Sequence, residues 1–263
     1  MNDIFPSIFF GHGSPMNAIQ TNRYTEAWRD FGKRSPRPKT ILAISAHWFV
    51  GETAVTINTA PRTIHDFGGF PDDLYRVGYP APGDPALARR VQELLSPLEV
   101  VADTSWGLDH GTWSVLRHVY PDADVPIVQL SINASEPAAF HYQLGRALAP
   151  LRTENILIAG SGNVVHNLRL YDWSGRGVEK AEWATRFERQ AKDLILTGQH
   201  APLIDYPDLG PDAALSIPTP EHYLPLLYIL GSQQAGDIIN FPVDGIEGGS
   251  ISMLAVELSG TGN

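Results

Sequence analysis

Three of the nine histidines in this chain stand just past short apolar runs that read as strands. They are His12 in Gly11-His12-Gly13-Ser14-Pro15, His47 in Ser45-Ala46-His47-Trp48, and His166, which follows Gly160-Ser161-Gly162-Asn163. If the strands are parallel, their carboxyl ends share one edge of the sheet, where open α/β folds build their sites. Two further histidines precede candidate helices: His110 before Thr112–Tyr120, and His222 in Pro218-Thr219-Pro220-Glu221-His222 before a helix through Leu230. Imidazoles gathered without thiolates suit zinc, iron, copper or nickel, not a magnesium or calcium site of oxygen ligands. Three histidines with open positions describe a catalytic metal site, since structural zinc sites are closed by four protein ligands. A single histidine at a strand end is more often structural than a ligand, and spacing alone leaves both readings open. His118 falls in a helix body, and His141 and His200 read as helical or loop surface positions. His65 lies in the irregular loop Ile64-His65-Asp66-Phe67-Gly68-Gly69-Phe70, whose glycines can bring backbone close to a ligand.

Other chemistries are poorly supported. Gly160-Ser161-Gly162 and Gly13-Ser14 put serines in glycine turns without completing a Gly-x-Ser-x-Gly nucleophile elbow. No phosphate loop is present, and Gly245-Ile246-Glu247-Gly248-Gly249 lacks the spacing and context of a dinucleotide site.

The elements that must position the histidines follow from periodicity. Short apolar runs alternate with amphipathic stretches, which predicts strands alternating with helices. Expected strands are Ser7–Phe10, Thr40–Ser45, Ala54–Asn58, Glu99–Ala102, Pro126–Ile132, Asn155–Ala159, Asp237–Phe241 and Ser250–Leu258. Asp84 before Pro85 caps a helix with Leu87, Val91, Leu94 and Leu95 on one face. Ser135 opens a second helix towards Leu151, and Trp183 to Leu196 makes a third with Phe187, Ala191, Leu194 and Ile195 inward. The pattern predicts one three-layer α/β/α domain over residues 1–263, around a largely parallel or mixed sheet.

Composition narrows the partners. The absence of cysteine removes disulfides, thiolate zinc sites, iron–sulfur clusters and cysteine nucleophiles. Nineteen Lys+Arg against 29 Asp+Glu give 19 − 29 = −10, which argues against nucleic acid or an anionic membrane surface as a partner. No basic leader opens the chain and no run approaches the roughly 20 apolar residues of a membrane span, so a cytoplasmic protein is expected. Oligomeric state is not readable.

Six segments in order carry a resemblance. They are Phe10-Gly11-His12-Gly13-Ser14-Pro15-Met16, Ser45-Ala46-His47-Trp48, His65-Asp66-Phe67-Gly68-Gly69-Phe70-Pro71, Trp106-Gly107-Leu108-Asp109-His110-Gly111, Ser161-Gly162-Asn163-Val164-Val165-His166-Asn167 and Pro218-Thr219-Pro220-Glu221-His222-Tyr223. Together they resemble the DODA-type extradiol aromatic ring-opening dioxygenases, the 4,5-DOPA dioxygenase family of the class III extradiol superfamily. The resemblance runs from about Phe9 to Leu258.

It implies a single α/β domain, one divalent metal ion, and cleavage of a catechol such as L-DOPA beside its hydroxyls, with both atoms of O2 inserted. By motif, His12, His47 and His222 are metal ligands. His166 either acts as acid/base or completes the metal shell, and His110 touches substrate or the oxygen intermediate. His65, Trp48 and Phe67 are pocket candidates, with Phe70 and Trp106 beside them; ordinary core packing is an equal reading for the two tryptophans. Class III enzymes generally hold Fe(II) with two histidines and a carboxylate, whereas His222 stands at the carboxylate's position here. Zinc is a possible occupant and iron the expected working metal, because zinc has no redox chemistry. Glu221 is not counted as the missing carboxylate, since neighbouring side chains at a helix start diverge. A zinc-binding relative without oxygenase activity and a zinc-dependent hydrolase are the competing expectations.

Overall fold

The structure, a computed structural model, describes residues 4–174 and 181–260. Its strands in chain order are β1 (Ser7–Gly11), β2 (Thr40–Val50), β3 (Ala54–Thr56), β4 (Val101–Asp103), β5 (Ile127–Asn133), β6 (Ile156–Gly162), β7 (Ile238–Asn240), β8 (Ile246–Glu247), β9 (Ile251–Ser252) and β10 (Val256–Ser259). Eight form one sheet in the order β4-β3-β5-β2-β6-β1-β10-β7, and β8 and β9 form a separate hairpin. The central strands β5, β2, β6 and β1 run parallel, while β3 joins β5, β10 joins β1, and β7 joins β10 antiparallel.

Strand alternation divides the core between two faces. Leu42 and Ile44 enter one buried cluster with Leu87 and Val91 of the helix Pro85–Leu95, Leu144 and Leu148 of Ala138–Leu148, Phe187 and Ala191 of Glu182–Leu196, and the helix Leu224–Gly231. Ile41 and Ala43 enter the other, with Trp28 and Phe31 of Arg23–Arg34 and Trp113 and Leu116 of His110–Val119. The three-layer α/β/α arrangement with a mostly parallel sheet is therefore present. Buried parallel strands need apolar residues on both faces, which is why the β2 and β6 sequences are apolar runs. Among the described residues, no helix is long and apolar enough to cross a membrane.

The structure departs from the expected elements in ways that matter for the site. β2 continues five residues past Ser45, and its pairing with β5 shifts register between Ile44 and Phe49. His47 thus lies inside the strand at an irregularity that re-aims it, not after the strand. The expected strand Ser250–Leu258 is split into β9 and β10. Between them Met253 N–H bonds the Gly245 carbonyl at 2.7 Å and Ala255 N–H bonds that of Val243 at 2.8 Å, so this chain crosses from the hairpin to the sheet. The second helix begins at Ala138 with Pro137 at its cap, because Asn133 Oδ1 holds Ser135 N–H in a preceding turn at 3.0 Å.

His141 is a correction: it is helical but fully buried, with Nδ1 at 3.0 Å from the Tyr228 hydroxyl. The helices Ala138–Leu148 and Leu224–Gly231 pack face to face, which leaves no solvent on that side. Burial lowers its pKa to about 4. The unfolded chain therefore takes up a proton below about pH 6.5 that the folded chain refuses, and stability is lost as pH falls through that window. Between pH 7 and 5, His141→Gln, which keeps a partner for Tyr228 without titrating, is expected to remove about 1–2 kcal/mol of the acid-induced loss in urea unfolding of the metal-free protein. An unchanged pH slope in the variant would count against a buried neutral imidazole.

Candidate metal centre and its cavity

Five histidines reach one cavity of about 280 Å³ at the carboxyl edge of the parallel strands. His12 leaves β1 with its N–H on the Gly162 carbonyl of β6 at 3.0 Å. The His222 segment crosses the end of β6 so closely that a Cβ on Gly162 would fall 2.1 Å from the His222 carbonyl oxygen, which instead accepts from Asn163 N–H at 2.8 Å. Only glycine permits that crossing. His110 is the first residue of its helix, whose N-cap Asp109 is fixed by Ser45 Oγ at 2.6 Å and Gln129 Nε2 at 2.8 Å. His166 forms a bridge with Ile251 of β9 and donates its N–H to the Ser216 carbonyl at 2.8 Å.

The rings of His12, His47 and His222 form a near-equilateral triangle, with centroids 5.0, 5.2 and 5.4 Å apart. One potential ligand atom from each lies within 4.8 Å of the other two. His166 stacks on His222 at 3.5 Å, and His110 sits 3.9 Å from His47. The ligating candidates of the sequence are thus brought together with the acid/base candidates beside them.

Hydrogen bonding assigns the tautomers. The Ser161 hydroxyl donates its one proton to the Gly111 carbonyl at 2.5 Å, so His12 Nδ1, 3.0 Å from the same oxygen, must be the donor to it. His12 Nε2 is left with a bare lone pair. His47 Nδ1 lies 3.1 Å from Asp66 Oδ2, which likewise makes Nδ1 the protonated nitrogen and Nε2 the bare one. Those two Nε2 atoms are 3.2 Å apart. Two acceptors facing each other at that distance attract a cation, whether a proton or a metal ion. The donor set is all imidazole, which fits a divalent transition metal or zinc.

Electrostatics favour the neutral, ligating form of four of the five rings, His12, His110, His166 and His222. Burial, reinforced by the neighbouring imidazoles, holds His12 and His222 well below the ordinary histidine range, and lowers His110 too. Burial brings His166 down to about 4. Asp66 behaves oppositely: burial alone would raise it, but hydrogen bonds from His110 and His47 prevail and hold it far below the usual carboxylate range.

Asp66 is the residue sequence reasoning missed. Its Oδ2 lies 3.0 Å from His110 Nδ1 as well as 3.1 Å from His47, and its Oδ1 accepts the His110 backbone N–H at 2.9 Å. An acid between His65 and Phe67 in an otherwise apolar loop was the available signal. Glu221, expected to diverge from His222, reaches back to it, with Oε1 at 3.3 Å from His222 Nδ1 and 2.8 Å from the Thr219 hydroxyl that donates to it.

The aromatic candidates separate. Phe70 lines the cavity, together with Leu168, Tyr171 and Trp173, which the sequence reading did not select. Phe67 supports the site, edge-on to His110 at 5.5 Å. His65 is not brought to the cavity: its Nε2 is 3.0 Å from the Val77 carbonyl and its ring packs on Phe67 and Trp113. Trp48 follows His47 in β2 and points away from it into a stack with Trp106, 5.5 Å apart and 6° from parallel. His118 is buried against the Asn17 carbonyl at 2.8 Å, and His200 meets the Tyr142 hydroxyl at 3.0 Å, both outside the site.

Comparison with known proteins agrees with this geometry. Residues 6–241 match the family described as the catalytic LigB subunit of aromatic ring-opening dioxygenase. The chain is 53% identical over 258 residues, 96% of its length and 94% of the relative's, to the 4,5-DOPA dioxygenase extradiol of Escherichia coli K12. It is 39% identical over 240 residues to the protein of the same name from Beta vulgaris, covering 88% of each. A crystal structure of an Escherichia coli K12 protein described as uncharacterized superposes with a TM-score of 0.85 at 48% identity, covering 97% of this chain and all of that one. The chain therefore belongs to the LigB family of aromatic ring-opening dioxygenases and is an extradiol dioxygenase.

Proposed function

We propose that the chain opens a catechol ring beside its hydroxyls, with L-DOPA as a representative substrate and O2 as co-substrate, and that His12, His47 and His222 hold one divalent ion. The observation that carries this reading is the pair of bare Nε2 lone pairs converging at 3.2 Å, next to a cavity walled by aromatic residues. Fe(II) is the working metal, since it supplies the electron transfer that O2 needs to react with the ring and zinc has none.

The protein's own groups handle binding and protons. A flat ring is received by the apolar wall that includes Phe70, Tyr171 and Ile251. With Nδ1 set against Asp66 Oδ2 at 3.0 Å, His110 presents Nε2 as a base, and a positive charge gained on the ring is stabilised by the carboxylate behind it. His166 is neutral near pH 7 and serves as the second proton-transfer group; its carboxylate neighbour, Glu221, is engaged with His222 and Thr219. Phe67 and His65 act by holding this wall in place, and Trp48 by packing the strand that carries His47.

Metal-free protein reloaded with Fe(II) under anaerobic conditions is expected, on admission of air, to consume O2 and form a yellow ring-opened product from L-DOPA or a simpler catechol. Zinc-loaded protein should show no O2 uptake. The absence of uptake with every catechol would sink the proposal, and oxygen-independent hydrolysis by the zinc form would replace it with a hydrolase.

A further inference from the structure

The glycine-rich segment around Glu247, left without a role by the sequence, forms the β8–β9 hairpin at the cavity wall. Its turn, Glu247-Gly248-Gly249-Ser250, closes with Ser250 N–H on the Glu247 carbonyl at 3.1 Å, and both glycines have positive φ, +51° and +77°. Positive φ at both central positions is a turn geometry that favours glycine. The turn is pinned from outside: Asp172 N–H bonds the Gly248 carbonyl at 2.9 Å, and a Cβ on Gly248 would fall 2.1 Å from the Tyr171 ring. Glu247 is thus held by backbone, not left on a loose loop.

Register places it relative to the chemistry. Glu247 pairs with Ile251, and Ile251 pairs across its other side with His166. Directly paired residues point to the same face of a sheet. His166, Ile251 and Glu247 accordingly form a row facing the cavity, and all three line it. Two strand spacings separate the ends of this row, about 10 Å. A catechol held beside the histidines with its side chain directed along this row brings a charged group on that chain towards Glu247.

Among the described residues, the charge there is single and unpaired. Among the described residues lining the cavity, Glu247 is the one carboxylate and no lysine or arginine appears. Its carboxylate has no hydrogen bond or ion pair among the described residues. Among the described residues, the cation that acts on Glu247 is Arg23, which is committed to the Asp244 carbonyl and to the Tyr24 hydroxyl at 3.3 Å. Tyr171 and Trp173, 4.6 Å apart, present aromatic faces on the same wall.

We infer that Glu247 determines substrate specificity by receiving a cationic group on the side chain of the catechol, so that a catechol with an ammonium group there is preferred to a neutral one, and one whose side chain carries a carboxylate and no ammonium is disfavoured. The inference rests on the catechol reading of the same site. Partial burial weakens Glu247 as an acid, and an arriving ammonium replaces solvation that the carboxylate lacks. The adjoining aromatic faces add cation–π attraction.

The test uses zinc-loaded protein without O2, titrated calorimetrically with 4-(2-aminoethyl)catechol, 4-ethylcatechol and 3-(3,4-dihydroxyphenyl)propanoate. The amine is expected to bind about tenfold more tightly than 4-ethylcatechol, equivalent to about 1.4 kcal/mol, and the acid more weakly than either. Glu247→Gln should erase the advantage of the amine while leaving 4-ethylcatechol within about twofold, and Glu247→Lys should favour the acid. Equal affinity for amine and acid in the unsubstituted protein, or an equal loss for all three ligands in Glu247→Gln, would overturn the inference. Because binding is read without turnover, a protein that shows this order yet cleaves no catechol with Fe(II) would refute the dioxygenase proposal and leave this one standing.

Discussion

Alanine at His12, His47 or His222, one position at a time, is expected to abolish both metal retention and ring cleavage while leaving a folded chain. Each ring supplies one corner of the triangle, and removing an outer partner of a ligand typically costs about 10–100-fold in metal affinity, so removing a ligand itself should exceed 100-fold. Stability gives a second, independent reading. With the tautomers assigned above, the two Nε2 atoms at 3.2 Å repel each other in the metal-free protein unless a proton or a metal ion is taken up between them. Metal-free His12→Ala and His47→Ala should therefore melt no lower than would follow from the lost ring packing, and the rise in Tm on adding zinc to the unsubstituted protein should vanish in all three variants. His166→Ala is expected to keep the zinc-induced rise and its metal within about tenfold, yet to lose turnover. Metal loss in His166→Ala equal to that of the three others would make it a fourth ligand. A full zinc-induced rise in any of the three would remove that residue from the metal site.

What the sequence made legible and what it hid differ by the range of the contacts involved. The strand ends that deliver His12 and His166 follow from apolar runs and glycine turns, which are local signals, and the two-faced core follows from alternation in β2 and β6. The convergence of the histidines required one further rule, that parallel strands share a carboxyl edge. The hydrogen bonds that set the tautomers obey no local rule. Ser161 is 149 positions from His12 and Gly111 is 50 from Ser161, and nothing in either glycine turn announces the relay. Asp66 acts on His47 and His110 from an irregular loop with no periodicity to orient it. His141 is polar and its helix amphipathic, so a surface position followed from the sequence; the partner helix carrying Tyr228 buried it. The β8–β9 hairpin was obscured because two-residue strands around a Gly-Gly turn are too short to show alternation.

The loss from Asp66→Asn should be nearly as large as that from deleting a ligand, and its cause can be followed atom by atom. Oδ1 accepts the His110 backbone N–H at 2.9 Å, a bond that only an oxygen can make, so an asparagine at this position turns its carbonyl there and keeps the loop in place. Its amide NH2 then occupies the place of Oδ2, facing His47 Nδ1 and His110 Nδ1 at 3.1 and 3.0 Å. Donor would meet donor at both contacts, and each imidazole must move its proton from Nδ1 to Nε2 to restore a hydrogen bond. For His47 that proton lands on the lone pair needed for the metal, and for His110 it removes the base. Metal affinity is expected to fall about 10–100-fold, and kcat at saturating Fe(II) by about 10³–10⁴-fold, the scale of an acid-to-amide change behind a catalytic histidine. The native carboxylate is held far below its usual range, whereas the amide of Asp66→Asn does not titrate, so raising the pH should not rescue the variant. Binding isotherms for zinc and oxygen-uptake rates on the same preparation separate the two effects. Wild-type values of both would show that the carboxylate orients neither ring, whereas a loss of kcat without loss of metal would confine its action to His110.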